Sequence, residues 1–442
     1  MIDTAELQGG LLRGYGHPVA TWIFAAVDDP AAARASLAAL ADELTPASDW
    51  GVKPPVTRNV ALSHRALRAL ALPPALLNGF PDEIRAGMAD RAGLLGDRPE
   101  TFDAPVDAIE VVVSLQAATR GDLAEAADET RAKLEAGGLA VTGEQRGGLL
   151  DDSREHFGFT DGFSQPAIAG FAREAVPGQG VPYRRMGFGP LRWRALAAGE
   201  FVLGAPDEDG DPPPAPPAPF DRETTFVVLR KLRQDVAAFR AQIAREAERI
   251  GLDAQTLAAR LVGRWPDGSP LALRPHGPDA RLGNDPVAAN DFGYADDPAG
   301  LRCPRGAHVR RTNPRDALGW AGKLTARHRI LRRGMPYGDA LPAGAPDDGA
   351  DRGLVFVSVQ ASIARQFEIV QQQWCNDGNA FGLGHEPDPI AGAGGAGSPP
   401  ARALVATSPP RITEPLHSYV ACRGGEYLVV PSLRALRALP SI

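Results

Sequence analysis

DAIEVVVSLQAATRGDLAEAADETRAKLEAGGLAVTG, residues 107–143, places an apolar β-branched run, a long amphipathic segment and a second short apolar run in direct succession. DAIEVVVSLQAAT, residues 107–119, is the clearest strand of this half of the chain. In the segment that follows, Leu123, Ala127, Thr130 and Leu134 recur at helical spacing, so one face of a helix docks on a sheet. Gly137 and Gly138 supply its stop, and LAVTG returns as strand. Working upstream, VATWIFAAV (residues 19–27) reads as strand, and DDPAAARASLAALADEL as a helix with an Asp-Pro start. RNVALS is a further strand, leading into the helical HRALRALAL. The order is βαββαβ, a split-βαβ or ferredoxin-like arrangement.

The second half repeats this grammar. TTFVVLRKLRQDVAAFRAQIAREAERIG is strand then helix, RHRILRRGMPYG has a strand core, RGLVFVSVQ is strongly β, and GGEYLVVPS closes the unit. In ASIARQFEIVQQQWC, Ile363, Phe367, Val370 and Trp374 form one apolar helical face. Between the halves, DEDGDPPPAPPAPFD is too rich in proline to join a ladder. The expected fold is α+β: an N-terminal ferredoxin-like domain over 1–170, a Pro-rich connector over 171–222 and a C-terminal ferredoxin-like domain over 223–442. Each would be an antiparallel sheet covered by helices.

At 442 residues, with 44% hydrophobic side chains, the chain can bury a large core. Its net charge of −7 points to neither nucleic acid nor a membrane surface. No run approaches the eighteen or more apolar residues of a membrane span. MIDTAELQGGLLRGYGHP lacks signal-peptide and twin-arginine character, so a cytoplasmic location is expected. Cys303, Cys375 and Cys422 are too few and too scattered for a disulfide framework, and no CxxC or CxxCH is present.

Two segments carry chemistry. HFGFTDGFSQP, residues 156–166, sets Asp161 between glycines, which alone is ordinary turn chemistry. RCPRGAHVRRTNPRD, residues 302–316, surrounds His308 with five arginines, among them Arg310, Arg311 and Arg315. No HExxH, EF-hand loop or paired Cys supports a metal cage made of protein residues alone. A lone His beside an arginine cluster suits heme, whose iron takes an axial imidazole and whose propionates take guanidinium groups.

With both segments in view, the chain resembles the dye-decolorizing peroxidases. The family's GxxDG signature appears as GFTDG, its proximal-histidine segment as CPRGAHVRRTNPRD and its distal-arginine segment as RILRRGMPYG. LRGYGHP, GEFVLGAPDE, FVVLRKLRQDVAAF, LVGRWPDGSPL, RGLVFVSVQ and QFEIVQQQWCNDG extend the likeness over nearly the whole chain. Length and middle insertion are similar to the larger, more elaborated branch. The resemblance implies two ferredoxin-like domains with one non-covalent heme b between them, and peroxidase turnover of hydrogen peroxide with dye-like or phenolic donors. It implies roles for His308 as proximal ligand, Asp161 as distal carboxylate, Arg332 as distal arginine and Arg310 as a propionate-binding group. Leu354 and Phe356 match residues lining the distal pocket. Asp388 is the candidate acceptor behind the imidazole, with Glu386 and Asp377 as rivals. Compact relatives often carry Asn two residues after the distal arginine; here that position is Gly334.

A distal Asp stays deprotonated further into acid than a histidine would, so activity on dye-like donors is expected to favour acidic pH. Trp320, Trp374 and Tyr337 lie near the heme-binding segments in sequence, either as electron relays for bulky donors or as core aromatics. The alternative function is a heme carrier without turnover, which needs His308 and the arginines but not Asp161 with Arg332. A scaffold that offers the arginine segment to an acidic partner would bind no heme at all.

Overall fold

Four strands of the first half form as expected: β1 (Val19–Val27), β2 (Val56–Ser63), β3 (Val111–Ala117) and β4 (Leu139–Gly148). The computed structural model describes residues 2–48, 50–162, 164–171, 177–184, 190–319, 322–392, 401–405 and 410–442. Asp29 caps the helix Pro30–Leu40 by accepting from the N–H groups of Ala31 and Ala32. Thr119 caps Arg120–Ala136 in the same way. That helix buries Leu123, Ala126, Ala127, Thr130 and Leu134, the face read from sequence. Gly138 takes φ +76°, and a Cβ there would sit 2.9 Å from that of Ala32, so the turn back into β4 needs glycine twice over.

Beyond β4, a hairpin of β5 (Val181–Arg184) and β6 (Leu191–Arg194) precedes the second half. There β7 (Thr225–Gln234) leads into the helix Val236–Ile250, and the short β8 (Leu331–Arg332) and β9 (Met335–Tyr337) precede β10 (Gly353–Gln360). The small pair β11 (Leu404–Val405) and β12 (Arg411–Ile412) is followed by the long β13 (Val420–Val430). Residues Ala364–Asn376 are helical but wound wide, with i→i+5 bonds such as Glu368 N–H to Ile363 O at 2.9 Å.

The strand order is β4-β1-β3-β2 in the first half and β13-β7-β10-β8 in the second, with β9 also on β10. Numbered within each half, both read 4-1-3-2 in antiparallel pairing, so the duplication seen in sequence is a duplication of topology. The two sheets do not stand apart. Their edge strands join where Leu62 and Ser63 of β2 meet Val429 and Leu428 of β13, giving one nine-stranded sheet.

Both faces of this sheet are covered. Ile23, Leu62, Val113, Phe226, Val228, Tyr427 and Val429 pack beneath the helices with Leu37, Leu134 and Phe367. Trp22, Phe24, Val112, Val227, Leu229, Val355 and Val430 face the opposite layer of loops with Leu7, Leu196 and Phe201. Burial on both sides explains why VVV, FVVL and YLVV lack polar alternation. The connector expected over 171–222 contains the β5–β6 hairpin, whereas its proline-dense stretch, residues 207–221, joins no described ladder, yet Phe220 within it is fully buried, edge-on to Phe80 at 5.5 Å. Among the described residues no helix is long and apolar enough to cross a membrane.

Candidate active site

His308 opens a short helix, His308–Thr312, so its side chain projects from a helix start rather than from mid-helix. Its Nδ1 lies 3.2 and 3.1 Å from Asp388 Oδ1 and Oδ2. The Asp388 side chain is fully buried, and Oδ1 also accepts from the N–H groups of Ile390 and Ala391. Its two rivals are engaged elsewhere: Glu386 Oε2 accepts from Arg402 N–H, and Asp377 caps Asn379. Arg311 ties the two segments together, donating to the carbonyls of Gly306, Trp374 and Glu386.

Asp161 sits on a loop with a dedicated anchor. Glu155 accepts from Phe157 and Phe159 N–H and from Gln234 Nε2, at 2.8 to 3.0 Å. Thr160 fixes the next residue by donating from both N–H and Oγ1 to Pro266 O. Gly158 and Gly162 take φ of +96° and +87°, and among the described residues, chain neighbours aside, no atom lies within 4 Å of a Cβ built at either position. Backbone conformation, not crowding by protein, is what demands glycine there. Asp161 Oδ1 accepts from Gly162 N–H at 2.6 Å and from Arg332 Nη1 at 3.3 Å. Arg332 belongs to β8 opposite Ser358, and its N–H donates to Gln165 Oε1 at 3.0 Å.

The Asp161, Arg332 and His308 side chains keep 46%, 37% and 30% of their surface accessible. The two titrating groups are nevertheless strongly desolvated, and each senses the other's charge and that of Arg332. Their accessible surface therefore belongs to an enclosed recess. Burial works to raise the Asp161 carboxyl, but Arg332, the Gly162 N–H and His308 outweigh it and hold the group below the usual carboxylate range. Burial likewise opposes charge on His308, and the charge and hydrogen bond of Asp388 reverse the sign and raise it.

Leu354 and Phe356 lie on the same face of β10 as Ser358, two and one side chains along from the partner of Arg332. Arg310 is a correction. It is buried, donates to Asp297 Oδ2, Asp297 O and Cys303 O, and stacks on Tyr294 at 4.6 Å. Its two terminal nitrogens are engaged in this knot rather than offered to a propionate, and the arginine-rich spelling shapes the loop before His308. Gly334 has its own reason, since a Cβ there would lie 2.3 Å from Val355 O. Any side chain at that position would collide with β10. Tyr337 donates to Asp351 Oδ1 at 3.0 Å, and Trp374 is buried edge-on to His328 at 5.2 Å. Trp320 lies outside the described residues. Sequence reading passed over Glu155 and Gln165, although both stand within a few residues of Asp161 and are polar groups beside a glycine-rich turn.

A buried carboxylate behind an imidazole, facing an Asp–Arg pair across a recess on a duplicated ferredoxin-like sheet, is the layout of a heme peroxidase. Residues 219–393 match the family model for the C-terminal part of Dyp-type peroxidases. Peroxidase 2 of Mycetinis scorodonius is 30% identical over all of this chain and 88% of its own length. A dye-decolorizing peroxidase of Mycena epipterygia is 30% identical over 99% of this chain and 87% of its own. Among solved structures, a dye-decolorizing peroxidase in complex with 2,6-dimethoxyphenol superposes with a TM-score of 0.84 at 27% identity, covering 100% of both chains. The chain belongs to the dye-decolorizing peroxidase family, heme enzymes that reduce peroxide at the expense of organic electron donors, and to its larger, elaborated branch.

Proposed function

We propose that the recess would hold one non-covalent heme b through His308 Nε2, and that Asp161 and Arg332 would together handle the peroxide. The observation that carries this reading is the imidazole itself. Nδ1 is taken by Asp388, while among the described residues Nε2 has no protein partner and the ring senses the Asp161–Arg332 pair. Such a ring has its tautomer fixed and its ligating nitrogen free. Cys303 and Cys375 are buried thiols raised by desolvation, Cys303 to about 11, which suits a cofactor held without thioether links.

Heme supplies, when bound, the two-electron reduction of peroxide and the one-electron oxidation of donors. The protein supplies proton handling and charge. Oδ1 of Asp161 already accepts from Gly162 and Arg332, which leaves Oδ2 to take a proton from the incoming peroxide and return it to the departing oxygen. Arg332 stabilises the negative charge that develops as the O–O bond parts. Because Asp161 is held below the usual carboxylate range, its basic form persists into acid, and turnover of dye-like donors is greatest at acidic pH. The test uses the heme-loaded protein: a Soret band that His308→Ala abolishes or shifts, and oxidation of 2,6-dimethoxyphenol that rises as pH falls below neutrality. A Soret band unchanged in His308→Ala would remove the ligand assignment.

A further inference from the structure

With Arg310 engaged, the group that meets the carboxylates of the prosthetic group has to be sought elsewhere. Arg311 and Arg315 are also committed to backbone carbonyls, Arg315 to those of Asn290 and Phe292 at 2.7 and 2.6 Å. Arg333 donates to the carbonyls of Gly10 and Leu12. Arg329 differs from all of them. It is 7% exposed, and among the described residues no acceptor meets its guanidinium and no carboxylate acts on its charge. Burial, then the fields of Arg315 and Arg332, push it down to about 9. It lines a narrow recess with Arg315, Thr325, Ala326, Pro182 and Trp193, and the Thr325 hydroxyl there is buried without a partner.

A buried cation with no counter-charge beside an unpartnered hydroxyl is the inverse image of an anion. Arg329 stands three residues before Arg332 in the chain and senses that side chain's charge, which brings it near the Asp161–Arg332 pair. We infer that Arg329, with the Thr325 hydroxyl beside it, seats one propionate of the heme, the task that Arg310 is not free to perform. This rests on the heme reading above. Guanidinium can meet a carboxylate through two parallel N–H donors, which a lysine cannot reproduce.

Release of heme from the holoenzyme to excess apomyoglobin tests the assignment, with protoheme and its dimethyl ester as the two cofactors. Arg329→Met is expected to lose protoheme about 10- to 100-fold faster than wild type, the range for one lost charge-assisted contact. Both proteins should release the ester at similar rates, because esterification removes the charge that Arg329 recognises. Arg329→Lys should fall between. The heme-free Arg329→Met protein should melt no lower than heme-free wild type, since an uncompensated buried charge has been removed. Release of protoheme at the wild-type rate from Arg329→Met overturns the inference, as does an equal acceleration for protoheme and ester. Failure of wild type to take up either cofactor refutes the heme reading itself, a separate result.

Discussion

Replacing Arg332 by Leu separates the two roles assigned to the distal pair. The substitution removes a guanidinium 3.3 Å from Asp161 Oδ1 and leaves the backbone N–H that donates to Gln165. Both side chains are more than one-third accessible, so the dielectric of water sets the lower bound on their interaction inside the recess. At that separation and the dielectric of water, Coulomb's law gives about 1.3 kcal/mol, or roughly a tenfold tighter hold on the Asp161 proton once the arginine is gone. The sign follows from which form of Asp161 is useful. The carboxylate is the base, so activity is lost as pH falls through its pKa; raising that pKa moves the acid limb of the pH profile upward. The assay is the single-turnover change in the Soret band on mixing holoenzyme with hydrogen peroxide, followed across the acid range. Arg332→Leu should be slower at every pH, because charge stabilisation is lost, and its acid limb should stand about one pH unit higher than in wild type. Arg332→Lys keeps the charge and should keep the limb close to its wild-type position. An acid limb unmoved in Arg332→Leu, or one that survives in Asp161→Ala, would show that Asp161 is not the titrating base.

The other expectations concern the supports of the site. Asp388→Asn removes the charge behind His308 while leaving an oxygen for Ile390 and Ala391, and should raise the heme potential by several tens of millivolts in a spectroelectrochemical titration; about 1 kcal/mol of lost charge assistance corresponds to about 40 mV for one electron. Glu155→Ala strips the acceptor from two backbone N–H groups and should cost about 2–4 kcal/mol in urea unfolding, with a slower peroxide reaction at unchanged heme content. Gly334→Asn does not restore a distal amide here, because its Cβ would meet Val355 O; it should lower the melting temperature by an amount equivalent to about 1–3 kcal/mol without accelerating peroxide reduction.

What sequence made legible follows from how local each signal was. The strands Val19–Val27 and Gly353–Gln360 and the helix Arg120–Ala136 carry their own periodicity, caps and stops, and each forms where the pattern places it. The union of two sheets through β2 and β13 involves only two residue pairs, 367 positions apart in the case of Leu62 and Val429, and no local pattern announces it. The site shows the same division. Asp161, His308 and Arg332 stood out because a carboxylate, an imidazole and arginines recur in motifs, whereas the partners that fix them arrive from distant loops. Arg310 was misjudged for a related reason. Two residues beyond His308 on a single helical turn, it points away from the ring's neighbours and into the pocket of Asp297 and Tyr294. A run of arginines tells of charge, while the direction of each guanidinium depends on carbonyls that sequence does not locate.

The two carboxylates of the site are the same residue type held in opposite conditions, and that contrast decides what each can do. Asp388 has no accessible side-chain surface, and its oxygens are occupied by an imidazole and two backbone N–H groups. Such a group has no route for exchanging a proton with solvent, so its effect on chemistry is static: it fixes one tautomer of His308 and keeps the ring electron-rich. Asp161 keeps nearly half of its side-chain surface accessible and, among the described residues, one oxygen without a donor. A proton can therefore arrive, stay for the length of a bond cleavage and leave. Exchanging the two environments would disable both functions, since a dry distal carboxylate could not shuttle and a wet proximal one would lose much of its hold on the imidazole. The Glu155 anchor and the Asp388 burial are thus complementary devices, one presenting a carboxylate to the recess and the other sealing a carboxylate away from it.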